Sequence, residues 1–331
     1  MRSEVRPEVR PEVRPEVRPV VRQVEVGERG DGQRLDNFLA KILIAVPRSH
    51  LFRVIRKGEV RVNGKRAKPE TRLQASDVVR VPPVRIGDAA PPRRAPPSLV
   101  QDLSRSIVYE DPRLLVLDKP AGVAVHGGSG VSFGVIEALR AARPDESLEL
   151  VHRIDRDTSG LLLVARKPAA LRALHALMRE GRVEKRYLAL VKGKWELGQK
   201  RIDVPLRTDI RVGGERTVKA HESGKEAASV FKPVQFFGKR ATLVEVALET
   251  GRTHQIRVHA AHAGYPLAGD EKYGDAEFNE KMKLAGLGRM FLHASLISFT
   301  WPDTGVEFSA NAPLPADLAG VIDALAAERR K

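Results

Sequence analysis

The sequence predicts an α+β protein in which a small basic module precedes a larger unit built on a mixed, mainly antiparallel sheet. The chain has 331 residues, which is enough for about two domains. Strand-like apolar runs recur through the second part, with few and short helical segments between them. This spacing lacks the regular strand–helix alternation of a doubly wound parallel fold. A stretch rich in proline and alanine, residues 83–102, separates the two parts and is interpreted as a linker.

The composition favours a polyanionic partner and excludes several kinds of chemistry. Lys and Arg outnumber Asp and Glu by 57 to 42, and the net charge of +15 favours nucleic acid. Because the chain has no cysteine, disulfides, thiolate catalysis and cysteine-ligated metal sites are excluded, and we expect a cytoplasmic protein. The longest apolar runs, such as 42–46 and 161–165, are far too short to cross a bilayer, so we expect no membrane partner.

Residues 1–22 contain an internal repeat that we interpret as a disordered tail. The unit Pro-Glu-Val-Arg recurs from Pro7 to Arg18 and then decays. Proline at every fourth position removes backbone donors and breaks helices, which favours an extended or disordered chain. A passive extension and a weak nucleic-acid tether are both open interpretations of this tail.

Residues 23–82 predict a compact module of two helices and a hairpin. Apolar residues recur with a helical period over 34–43, and a second helical stretch follows Pro47 and ends at Gly58. Asn63-Gly64 is a strong hairpin turn between two short strands. Residues 77–81 predict a closing strand.

The string RLDNFL…VPRSHLFRVIRKGEVRVNGKRAKP resembles the S4 RNA-binding module over residues 33–80. The resemblance implies binding to RNA through one cationic surface, mainly by backbone and shape contacts, because few aromatic residues are available for stacking. An ordinary charged helix face is the alternative. The residues expected to face RNA are Arg34, Arg48, Ser49, Arg53, Arg56, Lys57, Arg61, Asn63, Lys65, Arg66 and Lys68.

Residues 103–331 predict one large unit with four segments rich in reactive side chains. Strand-like runs occupy 107–109, 114–118, 161–165, 187–191, 242–248 and 294–301, and helices are expected over 169–180 and 315–328. The first reactive segment, LDKPAG…HGGSG, is rich in glycine but lacks the phosphate-loop patterns. We interpret it as a structural turn, with a contact to RNA phosphate as the alternative.

The second segment, VHRIDRDTSG at 151–160, places five ionisable residues just before a buried strand. Charged residues are rarely buried without a partner, and functional sites are often built on such loops. A solvated turn is the competing interpretation, because Asp, Thr, Ser and Gly all favour turns. The third segment places Tyr187 on an apolar strand, either as a half-buried packing residue or as an aromatic platform under a flipped base.

The fourth segment, TGRTHQIRVH, predicts a helix that starts with Thr253 as its N-cap and continues to Ala263. His254 and Arg257 share a face on such a helix. Three histidines occur here, but without a carboxylate among them or a metal-binding spacing, so we expect no metal.

The strings HRIDRDTSG, KRYLALVKG and TGRTHQIRVH, in this order after an S4-like module, resemble the pseudouridine synthase family that includes the ribosomal large-subunit enzymes. The resemblance covers nearly all of residues 24–312, and strings such as ELVHRIDRDTSGLLLVARK and DEKYGD are most similar to the C-type branch. It implies a mixed-sheet catalytic domain that isomerises uridine to pseudouridine in 23S ribosomal RNA. It also implies base flipping, no cofactor and a monomeric enzyme.

The resemblance assigns the central carboxylate to Asp155, the cation that keeps it ionised to Arg257, and the aromatic side chain against the uracil to Tyr187. Asp157 falls at a variable position of the family pattern. Arg153 is expected to help hold the target nucleotide out of its stack. The full set of expected base-flipping and substrate-binding residues is His152, Arg153, Arg252, His254 and Gln255.

Two other functions compete with the synthase. A non-catalytic RNA-binding or ribosome-assembly protein on the same fold has no need of Asp155, Tyr187 and Arg257 together. An RNA-directed hydrolase lacks support, because the sequence shows neither a Ser-His-Asp pattern nor a metal cluster. The sequence leaves open which uridines are modified. It also leaves open whether Asp155 attacks C1′, attacks the uracil ring or acts through a glycal.

Overall fold

The computed structural model describes residues 20–43, 46, 48–83, 95–127, 133–210 and 216–328, with the backbone alone at 29, 48, 49, 210 and 216. The chain divides into two compact units, residues 1–93 and 94–331. Nearly all of the predicted tail lies outside the described residues, as do most of the predicted linker and residues 128–130.

The first unit folds as a small antiparallel sheet with two helices. Its elements are β1 (Arg22–Glu25), a 3-10 turn (Glu28–Gly30), α1 (Leu35–Ile42), α2 (Arg48–Lys57), β2 (Arg61–Val62), β3 (Lys65–Arg66) and β4 (Val78–Val81). The strands lie in the order β1-β4-β2-β3. The two helices, the hairpin and the closing strand confirm the predicted order. Strand β1 was missed, because its sequence RQVE is polar and continues directly from the charged repeat.

The core of this unit is built from the helical repeat that the sequence shows. Leu35 and Leu39 on α1, and Leu51 and Ile55 on α2, are i and i+4 pairs that lie on one face of each helix and are fully buried. Both residues of the Asn63-Gly64 turn have positive φ angles, 48° and 75°. These are the values that a two-residue hairpin turn requires.

The second unit is a large mixed sheet flanked by helices. Its elements begin with α3 (Pro97–Arg105), β5 (Ile107–Glu110), β6 (Leu114–Lys119), α4 (Val135–Ala142), β7 (Glu149–Leu150), β8 (Ser159–Ala165), α5 (Pro168–Arg179) and β9 (Val183–Lys192). They continue with β10 (Lys200–Asp203), β11 (Leu206–Ile210), β12 (Arg216–Ala220), β13 (Ala228–Phe237), β14 (Ala241–Leu248) and α6 (Gln255–His262). The last are α7 (Ala276–Leu284), β15 (Leu292–Thr300), β16 (Glu307–Asn311) and α8 (Ala316–Glu328).

The sheet order is β10-β13-β14-β9-β15-β8-β6-β5, with β16 beside β15 and β7 beside β8. All of these pairs are antiparallel except β15 with β8. The α+β class with a mixed, mainly antiparallel sheet is thus confirmed. Strands β9 and β15 lie in the middle of the sheet, which makes β9 a rigid support for the side chains that it carries.

The larger unit begins earlier than the predicted boundary at residue 103. Helix α3 starts at Pro97, within the stretch interpreted as linker, and Leu103 is fully buried in the main core. Leu99 and Val100 pack against the same core. The prediction was wrong here because the surrounding prolines obscured one short apolar helix face. Within the described residues, no helix is long and apolar enough to span a membrane.

Strand β13 was also missed, and its sequence ASVFKPVQFF explains why. A proline inside a strand normally argues against that assignment, because it cannot donate to a neighbouring strand. Here β10 pairs only with residues 228–231, so Pro233 lies beyond the reach of that neighbour. A register shift between Pro233 and Gln235 accommodates the ring on the other side, against β14.

Gly160 joins the loop that carries Asp155 to the sheet, and we expect its replacement to destabilise the protein strongly. Its φ is +106°, and a Cβ there would lie 2.2 Å from the carbonyl oxygen of Ala294 on β15. Gly160→Ala should lower the free energy of unfolding by about 3 kcal/mol, from backbone strain and overpacking together. Urea unfolding followed by circular dichroism measures it.

Gly305→Ala is the matched control, because Gly305 also has a positive φ, +69°, but has no atom within 4 Å of the added Cβ. It should cost only about 1 kcal/mol. If the two variants lost equal free energy of unfolding, β8 and β15 would not approach each other closely at Gly160.

Candidate active site

A cavity of about 850 Å³ brings the three predicted catalytic residues together within the second unit. This cavity, the cleft, is bordered by the loop before β8, the end of α5, strand β9 and residues 248–257. Asp155, Tyr187 and Arg257 all line it, although 102 positions separate the first from the last. The predicted constellation is therefore assembled in space.

Asp155 lies in the loop between β7 and β8, and backbone contacts on both sides hold this loop. The Thr158 amide donates to the Asp155 carbonyl at 3.2 Å, which closes the predicted turn. The Gly122 amide donates to the carbonyl of Arg156 at 2.8 Å. At the start of the loop, the Leu163 amide donates to Nε2 of His152 at 3.1 Å. The charged turn and the site thus occupy the same loop, with Asp155 facing the cleft.

His152 has a structural part in this loop besides lining the cleft. Because its Nε2 accepts a hydrogen bond from a backbone amide, the ring is neutral at that nitrogen. Burial is the main cause that lowers the pKa of His152 to about 3, with the charge of Lys185 adding to it. His152 therefore holds the loop as a neutral side chain at physiological pH.

Lys119 on β6 holds the same loop through its side chain. The sequence analysis did not predict this role for it. It is fully buried, and its ammonium donates to the carbonyls of Pro120, Val123 and Arg156 at 2.7, 2.9 and 3.0 Å. Burial lowers the pKa of Lys119 to about 7, although the charges of Asp157 and Asp155 oppose this shift. In its described part, the LDKPAG segment is therefore a structural turn.

Arg257 on α6 is held by a second carboxylate, Asp270, which the sequence analysis missed. Its Nε and Nη2 donate to Asp270 at 2.7 and 2.8 Å, and its Nη1 lies 3.4 Å from Oδ2 of Asp155. Burial acts to lower the pKa of Arg257, but Asp270 and Asp155 outweigh it and raise the value. Asp270 is buried as well, and Arg257 holds its pKa below the usual range despite that burial.

This geometry places the Asp155 carboxylate next to the fixed positive charge of Arg257, at a distance of only weak hydrogen bonding. The bidentate pair with Asp270 fixes the plane and position of the guanidinium. The remaining nitrogen faces Asp155 at the long end of hydrogen-bond distance. Asp155 is therefore electrostatically stabilised yet free to react.

His254 forms the other wall beside Asp155, and its backbone differs from the prediction. His254, and not Thr253, is the residue that precedes α6, and it has a left-handed φ of 54°. Its Nδ1 lies 2.8 Å from the hydroxyl of Tyr273, and its Nε2 lies 3.9 Å from Oδ2 of Asp155. The prediction was wrong because the left-handed turn places Thr253 one residue too early to cap the helix.

The Tyr273 hydroxyl holds the His254 ring in place. It accepts the Val218 amide at 3.0 Å and hydrogen-bonds Nδ1 of His254 at 2.8 Å. The Nε2 of His254 then faces Asp155. Burial lowers the pKa of His254, against the opposing charge of Asp155, so the imidazole is neutral.

Gln255 lines the cleft, but its side chain is held by internal hydrogen bonds, and its expected substrate-binding role stays a prediction. Its Oε1 accepts from the hydroxyl of Thr250 and the amide of Arg252, and its Nε2 donates to the carbonyl of Ala228 and the hydroxyl of Ser229. An amide has two donor hydrogens and two acceptor lone pairs, and all four are used here. Gln255 thus fixes the loop that leads into α6.

Tyr187 lies on β9 in the centre of the sheet, with its ring against the cleft. It is 6 % exposed, which makes it a rigid aromatic surface. Burial, reinforced by the charge of Asp155, raises the pKa of Tyr187 well above its ordinary value. Its hydroxyl therefore stays protonated at neutral pH.

Arg153 and Arg252 lie at the mouth of the cleft and are exposed. The Nε of Arg252 donates to the carbonyl of Glu226 at 2.9 Å, which leaves its other nitrogens available. His259, one of the three histidines considered for a metal, is buried and binds the hydroxyl of Ser229 and the carbonyl of Val204. Its surroundings are those of a structural histidine.

Most of the predicted RNA-facing cations of the first unit are exposed, and several of the predicted residues have internal partners. Arg34 forms an ion pair with Asp36 at 2.7 Å. Asn63 binds Asp77 and the amide of Val78, so it fixes the hairpin and is not free for RNA. Arg61 and Arg66 donate to the carbonyls of Gly64 and Lys57. The exposed cations are Arg34, Arg53, Arg56, Lys57, Arg61, Lys65, Arg66 and Lys68. The side chains of Arg48 and Ser49 lie outside the described residues.

Comparison with known proteins agrees with this geometry. Residues 113–262 match the family described as RNA pseudouridylate synthase, and residues 33–79 match the S4 domain. Ribosomal large subunit pseudouridine synthase C of Pasteurella multocida is 52% identical over 305 residues, which cover 91% of this chain and 92% of that protein. The protein of the same name from Escherichia coli K12 is 51% identical over 291 residues, 87% of this chain and 91% of that one.

A solved structure shares the fold of the second unit. Human RNA Pseudouridylate Synthase Domain Containing 1 has a TM-score of 0.54 and 27% identity, over 68% of this chain and 94% of that chain. The relatives match along nearly their whole length, and the matched region includes Asp155, Tyr187 and Arg257. The chain therefore belongs to the RNA pseudouridylate synthase family.

Proposed function

We propose that this protein converts specific uridines of large-subunit ribosomal RNA into pseudouridine, as a cytoplasmic monomer. The observation that carries the proposal is the placement of Asp155 beside a fixed Arg257, in a cleft whose floor is the aromatic ring of Tyr187. The names of the relatives indicate which RNA is the substrate, since the two relatives described above are ribosomal large subunit pseudouridine synthases.

The reaction needs one ionised carboxylate and no change of oxidation state. The N1–C1′ bond of uridine breaks, the uracil turns, and C5 bonds to C1′ in place of N1. The proton on C5 then leaves to solvent and N1 gains a proton, so that the product is an isomer of the substrate. Asp155 supplies the carboxylate, either by attack on C1′, by attack on the uracil ring, or by removal of a sugar proton. All three routes place Asp155 next to the sugar and base of the same nucleotide.

Arg257 and Tyr187 provide the surroundings that this step requires. A cation close to a carboxylate favours its charged form, and Asp270 keeps the guanidinium in place while the substrate enters. Tyr187 offers its face to the detached uracil during the turn. Its hydroxyl is protonated at neutral pH, so Tyr187 can donate a hydrogen bond to the uracil, and it can take the C5 proton only after its own proton has passed to another base.

The target base must leave its stack to reach the cleft, at a cost of about a few kcal/mol. Arg153 and Arg252, exposed at the mouth, are suited to hold the displaced strand. The basic module of residues 23–82 adds phosphate contacts. We expect the affinity for RNA to fall steeply with salt because many phosphates are contacted.

Tritium release from RNA labelled at C5 of uridine tests the proposal directly. Purified protein should release tritium from a labelled transcript of large-subunit RNA and release none from an equally labelled small-subunit transcript at the same enzyme concentration. Removal of residues 1–82 should weaken RNA binding more than the single-turnover rate at saturating enzyme. Tight binding without any tritium release would favour the alternative, a non-catalytic ribosome-assembly protein, and strand cleavage would indicate a hydrolase.

A further inference from the structure

Lys185 is a cation of the cleft that the reaction described above does not use. Lys185 and Tyr187 are two positions apart on β9, so their side chains lie on the same face of the sheet. Both side chains border the cleft. Its ammonium approaches the loop before α6, since a Cβ on Gly251 would lie 3.9 Å from Nζ. Lys185 therefore lies between the floor of the cleft and the loop that carries Arg252.

The charge of Lys185 has no counterpart in the part of the chain that the structure describes. No carboxylate lies within ion-pair distance of it there, and no hydrogen bond holds its ammonium. The side chain is half-buried, and burial lowers the pKa of Lys185. A partly dehydrated charge without a partner costs free energy of folding, so its retention at this position needs another reason.

The other carboxylates of the cleft already have partners of their own. Glu249 is held by Arg201 at 2.8 Å, and Glu180 by Arg182 at 3.2 Å. Asp155 faces Arg257. Arg153, Arg179 and Arg252 line the cleft together with Lys185, so its lining has more cations than carboxylates. A negatively charged group of the substrate would neutralise this positive charge.

We propose that Lys185 binds a backbone phosphate adjacent to the target uridine and so anchors the flipped nucleotide over Tyr187. This inference rests on the proposed function. Residues two apart on a strand are about 7 Å apart, so the ammonium reaches the backbone of a nucleotide whose base lies on the Tyr187 ring. An ammonium–phosphate contact is charge-assisted and strengthens in a half-dry site, whereas a uracil carbonyl leaves the charge uncompensated.

The first test compares the stability of the free protein with its affinity for RNA. Lys185→Gln removes the charge and keeps a flexible polar side chain that is one atom shorter. It should leave the melting temperature of the free protein unchanged or higher, while the affinity for the large-subunit RNA fragment falls about tenfold. The slope of log affinity against log salt should decrease by about 0.7. Lys232→Gln, which removes an exposed charge on β13 outside the cleft, is the matched control for net charge.

The second test identifies the group that Lys185 contacts. RNA fragments are prepared with one neutral methylphosphonate at each position around the target uridine, 2′-O-methylated there for chemical stability. At one position the wild-type protein should lose about tenfold in affinity, and Lys185→Gln should lose nothing further. Lys185→Arg, which retains a charge, should restore part of the sensitivity to that phosphate.

Each outcome decides the proposal. Equal losses in Lys185→Gln and the wild type at every methylphosphonate would overturn it, and would place the cation against the base or outside the contact. A lower melting temperature with unchanged affinity would make Lys185 structural and would also overturn it. Failure of the proposed function is distinguishable, because the wild-type protein itself would then release no tritium from any fragment.

Discussion

Asp155→Asn should abolish pseudouridine formation while the protein folds and binds RNA as before. The amide has the shape of the carboxylate but can neither attack carbon nor accept a proton from the sugar, so every proposed route is blocked. We expect the single-turnover rate to fall by about 10,000-fold or more. Tritium release at saturating enzyme measures the rate, and filter binding of the same RNA shows that affinity is retained.

The neighbouring Asp157 provides the matched control for this change. It lies two residues away in the same loop, is half-exposed, and pairs with Arg156 at 3.1 Å. Asp157→Asn removes an equal charge, and its rate should remain within about threefold of the wild type, as surface changes of this kind cost little. Residual activity of Asp155→Asn comparable to that of Asp157→Asn would show that Asp155 is not the reacting group.

Arg257→Lys should lower the rate about a hundredfold although the positive charge is retained. Lysine cannot reproduce two parallel hydrogen bonds to Asp270 together with a third nitrogen facing Asp155. Its ammonium would settle on one carboxylate and leave the other misplaced, and displacements of about 1 Å at a reacting centre cost about a hundredfold. The measurement is the single-turnover rate at saturating enzyme, with the affinity for RNA determined separately.

Arg289→Lys is the control for this prediction, since Arg289 also binds one carboxylate through two nitrogens, at 2.6 and 3.2 Å from Asp317, outside the cleft. Its rate should stay close to that of the wild type. Asp270→Asn should reproduce the defect of Arg257→Lys, because it loosens the same guanidinium. Near-normal turnover in both cleft variants would show that planar pairing does not position Arg257.

The local parts of this account could be predicted from the sequence because they depend on short patterns. The helical spacing of Leu35 and Leu39, the Asn63-Gly64 turn and the apolar strand after Gly160 are all confirmed in the structure. The resemblance then assigned Asp155, Tyr187 and Arg257, and the fold brings these three residues to one cleft. Their catalytic roles are still proposals, with the experiments above as their tests.

The supporting contacts could not be predicted, because they join segments far apart in the chain. Asp270 binds Arg257, which the helical pattern of TGRTHQIRVH does not indicate, and the string DEKYGD marked it only as part of the resemblance. Lys119 reaches the carbonyl of Arg156 across 37 positions. The internal contacts of Gln255 were missed for a related reason: its four hydrogen-bond partners include residues on β13, a strand that Pro233 concealed.

The pattern of modified uridines in ribosomal RNA tests the central claim most directly. Ribosomal RNA from a strain that lacks this protein is treated with carbodiimide and read by primer extension, which stops at pseudouridine. The account predicts that one or more stops in large-subunit RNA disappear, that the wild-type protein restores them, and that Asp155→Asn does not. An unchanged set of stops in the deletion strain, or full restoration by Asp155→Asn, would contradict it.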